Sequence, residues 1–204
     1  RQLRGTGLPI ESLESDGRRM AKSFGIADDA AAPAKLHALP VADILAYSEK
    51  EMPNSMNPVV DGRSMPTDVS RIFRAGRQQA VPFLSGTVDR EESLLGPYPF
   101  KLEDMMRGAD PAPVRALYAD LDEAARVKAW FADSLFRGPA RFLAGEMPRV
   151  GQPAWLYEFS YVGETLRRTE PGAAHSDDVA FAWGDLGLRA RWRSEAAPTD
   201  ADRR

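Results

Sequence analysis

Residues 81–93 read Val81-Pro-Phe-Leu-Ser-Gly-Thr-Val-Asp-Arg-Glu-Glu-Ser93, a short apolar run that ends in Ser-Gly and leads into an acidic loop. The apolar part, 81–86, suits a strand of a parallel sheet, which is buried on both faces. Pro82 restricts that strand to a start or to a sheet edge. Residues 154–159 are dense in aromatic side chains and predict a second strand.

Helical patterns account for most of the remaining chain. Apolar spacings and stop signals predict helices at 11–24, 33–39, 41–48, 67–76 and 120–146, the last interrupted at Gly138-Pro139. Thr67 is the predicted N-cap of the fourth helix. The apolar side of the last helix predicts core packing for Trp130, Phe131 and Phe136. We therefore predict an α/β fold with few strands and many helices. Because two short strands cannot form a stable sheet by themselves, we expect a larger structure to complete the fold.

Composition and charge exclude several classes of function. The 204 residues are 43% hydrophobic and 28% charged, as in globular domains. The net charge of −3 and the scattered arginines argue against nucleic-acid binding. No apolar run is long enough to predict a membrane span. The absence of cysteine excludes disulfides, thiolate zinc sites and a cysteine nucleophile within the chain, but leaves a cytoplasmic and an exported location both open.

Few side chains in this sequence can transfer protons near neutral pH. The two histidines are His37, predicted on a helix face, and His175, in a loop after the second strand. Glu91 and Glu92 follow the first strand. Open α/β sheets place ligands and catalytic groups after the carboxyl ends of strands, although each residue taken alone is typical of a solvated loop. With one imidazole near the carboxylates, we expect no metal site and no cofactor.

Four segments, in order, resemble signature blocks of the type B carboxylesterase family, which includes cholinesterase-like and para-nitrobenzyl esterase-like proteins. They are Pro58-Val-Val-Asp-Gly62, Ile72-Phe-Arg-Ala-Gly76, Val81-Pro-Phe-Leu-Ser-Gly-Thr87 followed by Glu91, and Tyr157-Glu-Phe-Ser-Tyr-Val162 followed by Gly172-Ala-Ala-His175. Their spacing is similar to that of the family. The resemblance covers nearly the whole chain.

The resemblance implies that residues 1–204 are the C-terminal portion of an α/β-hydrolase fold, truncated at both ends and dependent on the N-terminal half. Triads on that fold follow the order Ser, acid, His, so the acid maps to Glu91 and the base to His175. Val88 replaces the Asn usual in the family pattern, and Glu92 replaces a small residue. These departures leave Glu92 open as the alternative acid.

The function that the resemblance implies is hydrolysis of small-molecule carboxylic esters through an acyl-enzyme. No Gly-x-Ser-x-Gly occurs in the 204 residues, and Gly62-Arg-Ser-Met-Pro66 only approaches it. We therefore expect the nucleophilic serine and the oxyanion hole upstream, and an inactive chain in isolation. The alternatives are a non-catalytic, cholinesterase-like interaction module and a truncated product that does not fold productively. The Ala- and Arg-rich composition is associated with bacteria of high GC content.

Overall fold

The computed structural model of the protein describes residues 13–51, 60–96, 100–106, 109–187 and 198–203. The chain divides into two compact units, Arg1–Arg71 and Ile72–Arg204. The described residues of the first unit form helices joined by turns, and the second unit contains the sheet and both candidate site residues.

Among residues 13–51, the first unit contains the helices α1 (Leu13–Ser23), α2 (Ala32–His37) and α3 (Val41–Glu51). Gly25, the second residue after α1, adopts a positive φ of 67°, a conformation that glycine allows at little cost. The rings of Phe24 and Tyr47 lie 5.8 Å apart. The three helices predicted in this region are confirmed, with small differences at their ends.

The fourth helix, α4 (Val69–Arg74), begins later than predicted and contains the division between the two units. The expectation that Thr67 caps it is wrong, because the Asp68 carboxylate accepts the Arg71 backbone N–H at 3.0 Å. Aspartate at this position satisfies an amide that has no partner within the helix.

The second unit contains the two predicted strands, β1 (Phe83–Val88) and β2 (Ala154–Phe159). They pair in parallel, with Phe83 opposite Ala154 and Gly86 opposite Tyr157. β1 begins directly after Pro82, as expected for a residue without a backbone N–H. The strand continues past Gly86 through Thr87 and Val88, which are buried, so the predicted loop is shorter than expected.

Helices join the two strands, as a parallel connection requires. A 3-10 turn (Glu91–Leu95) follows β1, and a second one (Met147–Val150) precedes β2. Between them lie α5 (Leu102–Met106), α6 (Ala112–Leu117), α7 (Glu123–Ala132), a π-helical turn (Asp133–Arg137) and α8 (Gly138–Glu146). Leu102, Val114 and Val127 form a buried cluster against which Trp130 packs.

The predicted helix at 120–146 is divided into α7, the π-helical turn and α8. It starts at Glu123 because the Asp122 carboxylate caps the Ala125 N–H at 2.8 Å. The Gly138 N–H donates to Asp133 O, five residues earlier, which is the π pattern. A Cβ at Gly138 would lie 2.7 Å from that oxygen. The predicted interruption at Gly138-Pro139 therefore exists, but the irregular hydrogen bonding begins at Asp133.

After β2, the connection 160–176 leads to α9 (Asp177–Ala182). Residues 198–203 return to this connection, where the Asp202 carboxylate accepts from Tyr161 Oη at 2.7 Å. Among the described residues, no helix has the length and apolarity needed to cross a membrane.

Candidate functional site

The acidic side of the site is the turn that follows β1. Glu91 starts the 3-10 turn, and its side chain bends back so that Oε1 accepts the Val88 N–H at 2.9 Å. The residue is only 4% exposed. A carboxylate that is so deeply buried needs hydrogen-bond donors, and the end of β1 supplies one of them.

The basic side of the site is the segment that carries His175. Ala173 and Ala174 are buried and lie beside Arg90, the second residue after β1, whose N–H donates to Ala173 O at 3.2 Å. Arg90 and Ala174 form an isolated parallel bridge. This bridge brings His175 next to the acidic turn.

A tight turn follows the bridge. Ser176 has a φ of 73°, the one positive value among the described residues other than glycine. The Asp177 carboxylate, which is 3% exposed, accepts the Ala174 N–H at 2.7 Å, and the Asp177 N–H donates to Ala174 O at 2.9 Å. The two bonds fix the backbone on both sides of His175.

The two sides meet at the predicted pair. His175 Nδ1 lies 2.5 Å from Glu91 Oε2. An ionised carboxylate only accepts hydrogen bonds, so this contact places the proton of a neutral imidazole on Nδ1 and makes Nε2 the accepting nitrogen. The Glu91 side chain is 5% exposed and the His175 side chain 32% exposed. The imidazole therefore contacts a buried carboxylate and remains partly accessible to solvent.

The neighbouring glutamate has a different partner. Glu92 Oε1 lies 3.8 Å from the Arg90 guanidinium, which also donates to Glu170 at 2.8 Å. The structure thus brings Glu91, one of the two predicted acids, to His175. A second arginine, Arg137, donates to Asp89 O at 2.8 Å and holds the backbone before Glu91.

Phe136, on the π-helical turn, packs against the imidazole with ring centroids 5.0 Å apart. Phe131 is buried beside it, at 5.8 Å from Phe136. The prediction of these phenylalanines as core residues therefore holds for Phe131, whereas Phe136 also reaches the site.

A tyrosine of β2 connects to the helix that follows His175. The Tyr157 ring lies across Gly86, where a Cβ would come within 2.3 Å of three ring atoms. Its hydroxyl donates to Asp178 Oδ2 at 2.6 Å. This hydrogen bond, with partial burial and the nearby negative charges of Asp178 and Glu91, raises the pKa of Tyr157 to about 12. Tyr157 is therefore protonated at neutral pH.

The other residues considered from the sequence fall outside this arrangement. His37 ends α2 in the first unit. Ser64, in the segment that approaches a nucleophile motif, donates to Asp61 at 2.5 Å within an exposed turn. Within the part of the chain that the structure describes, no group of three or more His, Cys, Asp or Glu side chains is placed to hold a metal ion.

Sequence reasoning missed two residues of the site. Ser93 Oγ accepts the His175 backbone N–H at 2.8 Å, and Asp177 closes the turn after it. Ser93 lies in the quoted stretch 81–93, but a serine in an acidic loop gives no sign of a partner so distant in the chain.

Comparison with solved structures gives a consistent result. A PNB esterase matches at a TM-score of 0.70 and 20% identity, over 97% of this chain and 43% of its own. A thermophilic PNB esterase matches at a TM-score of 0.65 and 22% identity, over 91% of this chain and 41% of its own. A Geobacillus stearothermophilus carboxylesterase matches at a TM-score of 0.64 and 20% identity, over 83% of this chain and 37% of its own.

Comparison with protein-family models and with curated proteins finds no match. The structural likeness, at these identities, concerns the fold. This chain spans about two fifths of the length of the esterases that it resembles. The predicted fold class is confirmed: over most of its length, the chain corresponds to one part of the α/β-hydrolase fold of these esterases.

Proposed function

We propose that this chain belongs to a serine carboxylic-ester hydrolase, in which Glu91 is the acid and His175 the base of a catalytic triad. The observation that carries the proposal is the 2.5 Å contact between His175 Nδ1 and Glu91 Oε2. Both residues follow the carboxyl ends of parallel strands, where catalytic groups of α/β sheets are found. The structural likeness to esterases supports the same assignment.

The contact suits the proton transfers that ester hydrolysis requires. Nε2 of a neutral His175 would take the proton of a serine hydroxyl as that oxygen attacks the ester carbonyl. Glu91 would hold the tautomer and stabilise the imidazolium that forms. The imidazolium then returns its proton to the leaving alcohol, and a water molecule repeats the sequence on the acyl-enzyme.

The burial of Glu91 supports this role. A charge in a site of low dielectric interacts more strongly with an imidazolium than a charge in water does. The side chain of Glu91 is 5% exposed, whereas that of Glu92 is 23% exposed and close to the Arg90 cation. The preference for Glu91 as the acid follows from this difference and from its contact with His175.

The nucleophile and the oxyanion hole belong, in this proposal, to a part of the protein outside residues 1–204. Leu84 on β1 and Trp155 on β2 are 66% and 54% exposed. Since parallel sheets are normally buried on both faces, further elements of the same fold would cover these side chains. Small, neutral esters are the proposed substrates.

The test is hydrolysis of p-nitrophenyl acetate and butyrate by the natural protein that contains this chain. His175→Ala is expected to lower kcat/KM by roughly a thousandfold or more, because triad losses in serine hydrolases have that scale. His37→Ala is the matched control and is expected to retain the activity of the parent.

A folded, inactive parent would overturn the proposal, as would a His175→Ala variant as active as His37→Ala. Either result would favour the non-catalytic interaction module. The isolated 204-residue chain is expected to be inactive, because a triad needs its nucleophile.

A further inference from the structure

The turn that carries Glu91 contacts the segment of His175 at more than one point. Ser93 lies in the same 3-10 turn as Glu91, and its Oγ accepts the His175 backbone N–H at 2.8 Å. We propose that Ser93 is a positioning residue of the site, which fixes the backbone of His175 while Glu91 fixes its ring. This inference rests on the proposed function.

Glu91 and Phe136 both contact the imidazole itself. The direction of the ring also depends on the position of its Cα, which the hydrogen bond from the His175 backbone N–H to Ser93 helps to fix. Because Glu91 and Ser93 lie in the same turn, Glu91–Leu95, that one turn supports both the ring and the backbone of His175.

The backbone around His175 needs such an attachment. Directly after it, Ser176 has a φ of 73°, a left-handed conformation that is unfavourable for residues other than glycine. Directly before it, Ala174 is held by Asp177 and by the bridge to Arg90. The His175 N–H is the next donor along the chain, and Ser93 is its acceptor.

The expected effect is on chemistry rather than on binding. A general base acts when it lies about 2.6–3.2 Å from the atom whose proton it takes, and a displacement of about 1 Å can lower a rate about a hundredfold. Ser93→Ala removes the acceptor but leaves Glu91 in place. We expect kcat to fall roughly tenfold, with KM nearly unchanged, because the contact does not involve substrate.

The experiment uses the natural protein that contains this chain, with Ser93→Ala, Ser93→Thr and Thr169→Ala. Threonine keeps the γ-oxygen and is expected to restore most of kcat. Thr169, whose hydroxyl donates to Leu166 O on the exposed surface, is the matched control for loss of a hydroxyl. The assays are p-nitrophenyl butyrate kinetics and NMR hydrogen exchange of the His175 backbone amide.

The inference requires that Ser93→Ala lower kcat and accelerate exchange of the His175 amide, while Thr169→Ala does neither. An active parent with Ser93→Ala unchanged in both measurements overturns the inference and leaves the proposed function intact. A loss of kcat without faster exchange also overturns it, since the backbone attachment would then not be the cause. An inactive parent overturns the proposed function and this inference together.

Discussion

The two sides of the site are held by different kinds of contact. Glu91 lies three residues after Val88, and the end of β1 binds its carboxylate directly. His175 follows the end of β2 only after residues 160–174, and the partners of its imidazole and its backbone N–H, Glu91 and Ser93, lie far away in the sequence. The acidic carboxylate is thus held by a local contact, whereas His175 itself is held by contacts that the tertiary structure assembles.

This difference has a physical consequence. A local hydrogen bond needs little additional ordering of the chain, whereas a contact between distant segments must offset the entropy of closing a loop. The Ser93 contact joins residues 82 apart, and the Glu91–His175 contact joins residues 84 apart. We therefore expect the basic side to be the more easily disturbed, and substitutions can test each of its attachments.

The largest expected effect concerns the choice between the two glutamates on the acidic side. In the natural protein, Glu91→Gln is expected to lower kcat for p-nitrophenyl butyrate by roughly a hundredfold to ten-thousandfold, because the amide cannot stabilise an imidazolium as a carboxylate does. Glu92→Gln removes the same charge one residue later and is the matched control. It is expected to change kcat less than about threefold, since its partner is Arg90.

The reverse order, with Glu92→Gln the more damaging variant, would show that the acid is Glu92. Circular dichroism of both variants distinguishes a loss of chemistry from a loss of folding. Equal and small effects would mean that neither carboxylate acts on His175.

The second prediction removes the hydrogen bond between Asp177 and Ala174 that closes the tight turn around His175. Asp177→Ala leaves the Ala174 N–H without its acceptor in a buried site, and an unsatisfied donor of this kind costs about 1–3 kcal/mol of unfolding free energy. Urea unfolding of the natural protein measures the loss. Asp178→Ala is the control, because both residues lie in the first turn of α9 but Asp178 binds the hydroxyl of Tyr157.

Asp178→Ala is expected to cost about 1 kcal/mol or less, as for a partly exposed hydrogen bond. If the two variants lose the same free energy, the effect comes from the negative charge at the start of α9. The turn at Ala174 would then have no special role.

The sequence predicted the parts of this fold that depend on local patterns. The strands at 81–86 and 154–159 carry β-forming and apolar side chains, and Pro82 marks where β1 begins. The start of α4 was misplaced because Thr67 and Asp68 are both good caps, and local propensity does not choose between them. The π-helical turn was missed because its hydrogen bonds begin before the Gly-Pro signal.

Some residues of the site could likewise be predicted from the sequence, and others could not. Residue types and strand ends alone left Glu91 and His175 as plausible loop residues, and the resemblance to an esterase family paired them. Ser93 and Asp177 could not be found from local patterns, because their roles depend on tertiary contacts or on a left-handed residue. Phe136 had the same pattern as the core residue Phe131, but the π-helical turn directs it to the imidazole.

The third prediction concerns Asp202, which binds Tyr161 in the connection that precedes His175. Partial burial alone would raise the pKa of Asp202, but hydrogen bonds from Tyr161 and from the Glu164 and Thr199 amides outweigh it and lower the pKa to about 2. Because the pKa is lowered, the ionised carboxylate stabilises the fold at pH values above 3.8, the ordinary pKa of an aspartate. That contribution is lost as the pH falls from about 4 to about 2.

NMR hydrogen exchange of the Glu164 and Thr199 amides tests this at pH 6, 4 and 3. Asp202→Ala is expected to reduce their protection at pH 6 by an amount worth about 1 kcal/mol or less, and the difference from the parent should shrink towards pH 3. Asp200→Ala, at an exposed neighbouring position, is the control. A difference that stays constant over this pH range would exclude the carboxylate as the attachment.

The smallest expected effect is a gain in stability on the basic side. Ser176→Gly replaces a residue at a φ of 73° with the one amino acid that adopts this conformation without a steric penalty. The relief is partly cancelled because glycine loses more entropy on folding, so we expect a gain of a few tenths of a kcal/mol in urea unfolding. Ser160→Gly, at the end of β2 and outside the left-handed region, is the control and is expected to be neutral or destabilising. A loss at Ser176 would mean that its side chain stabilises the turn more than its backbone strains it, and the assembled basic side would then depend on one further contact.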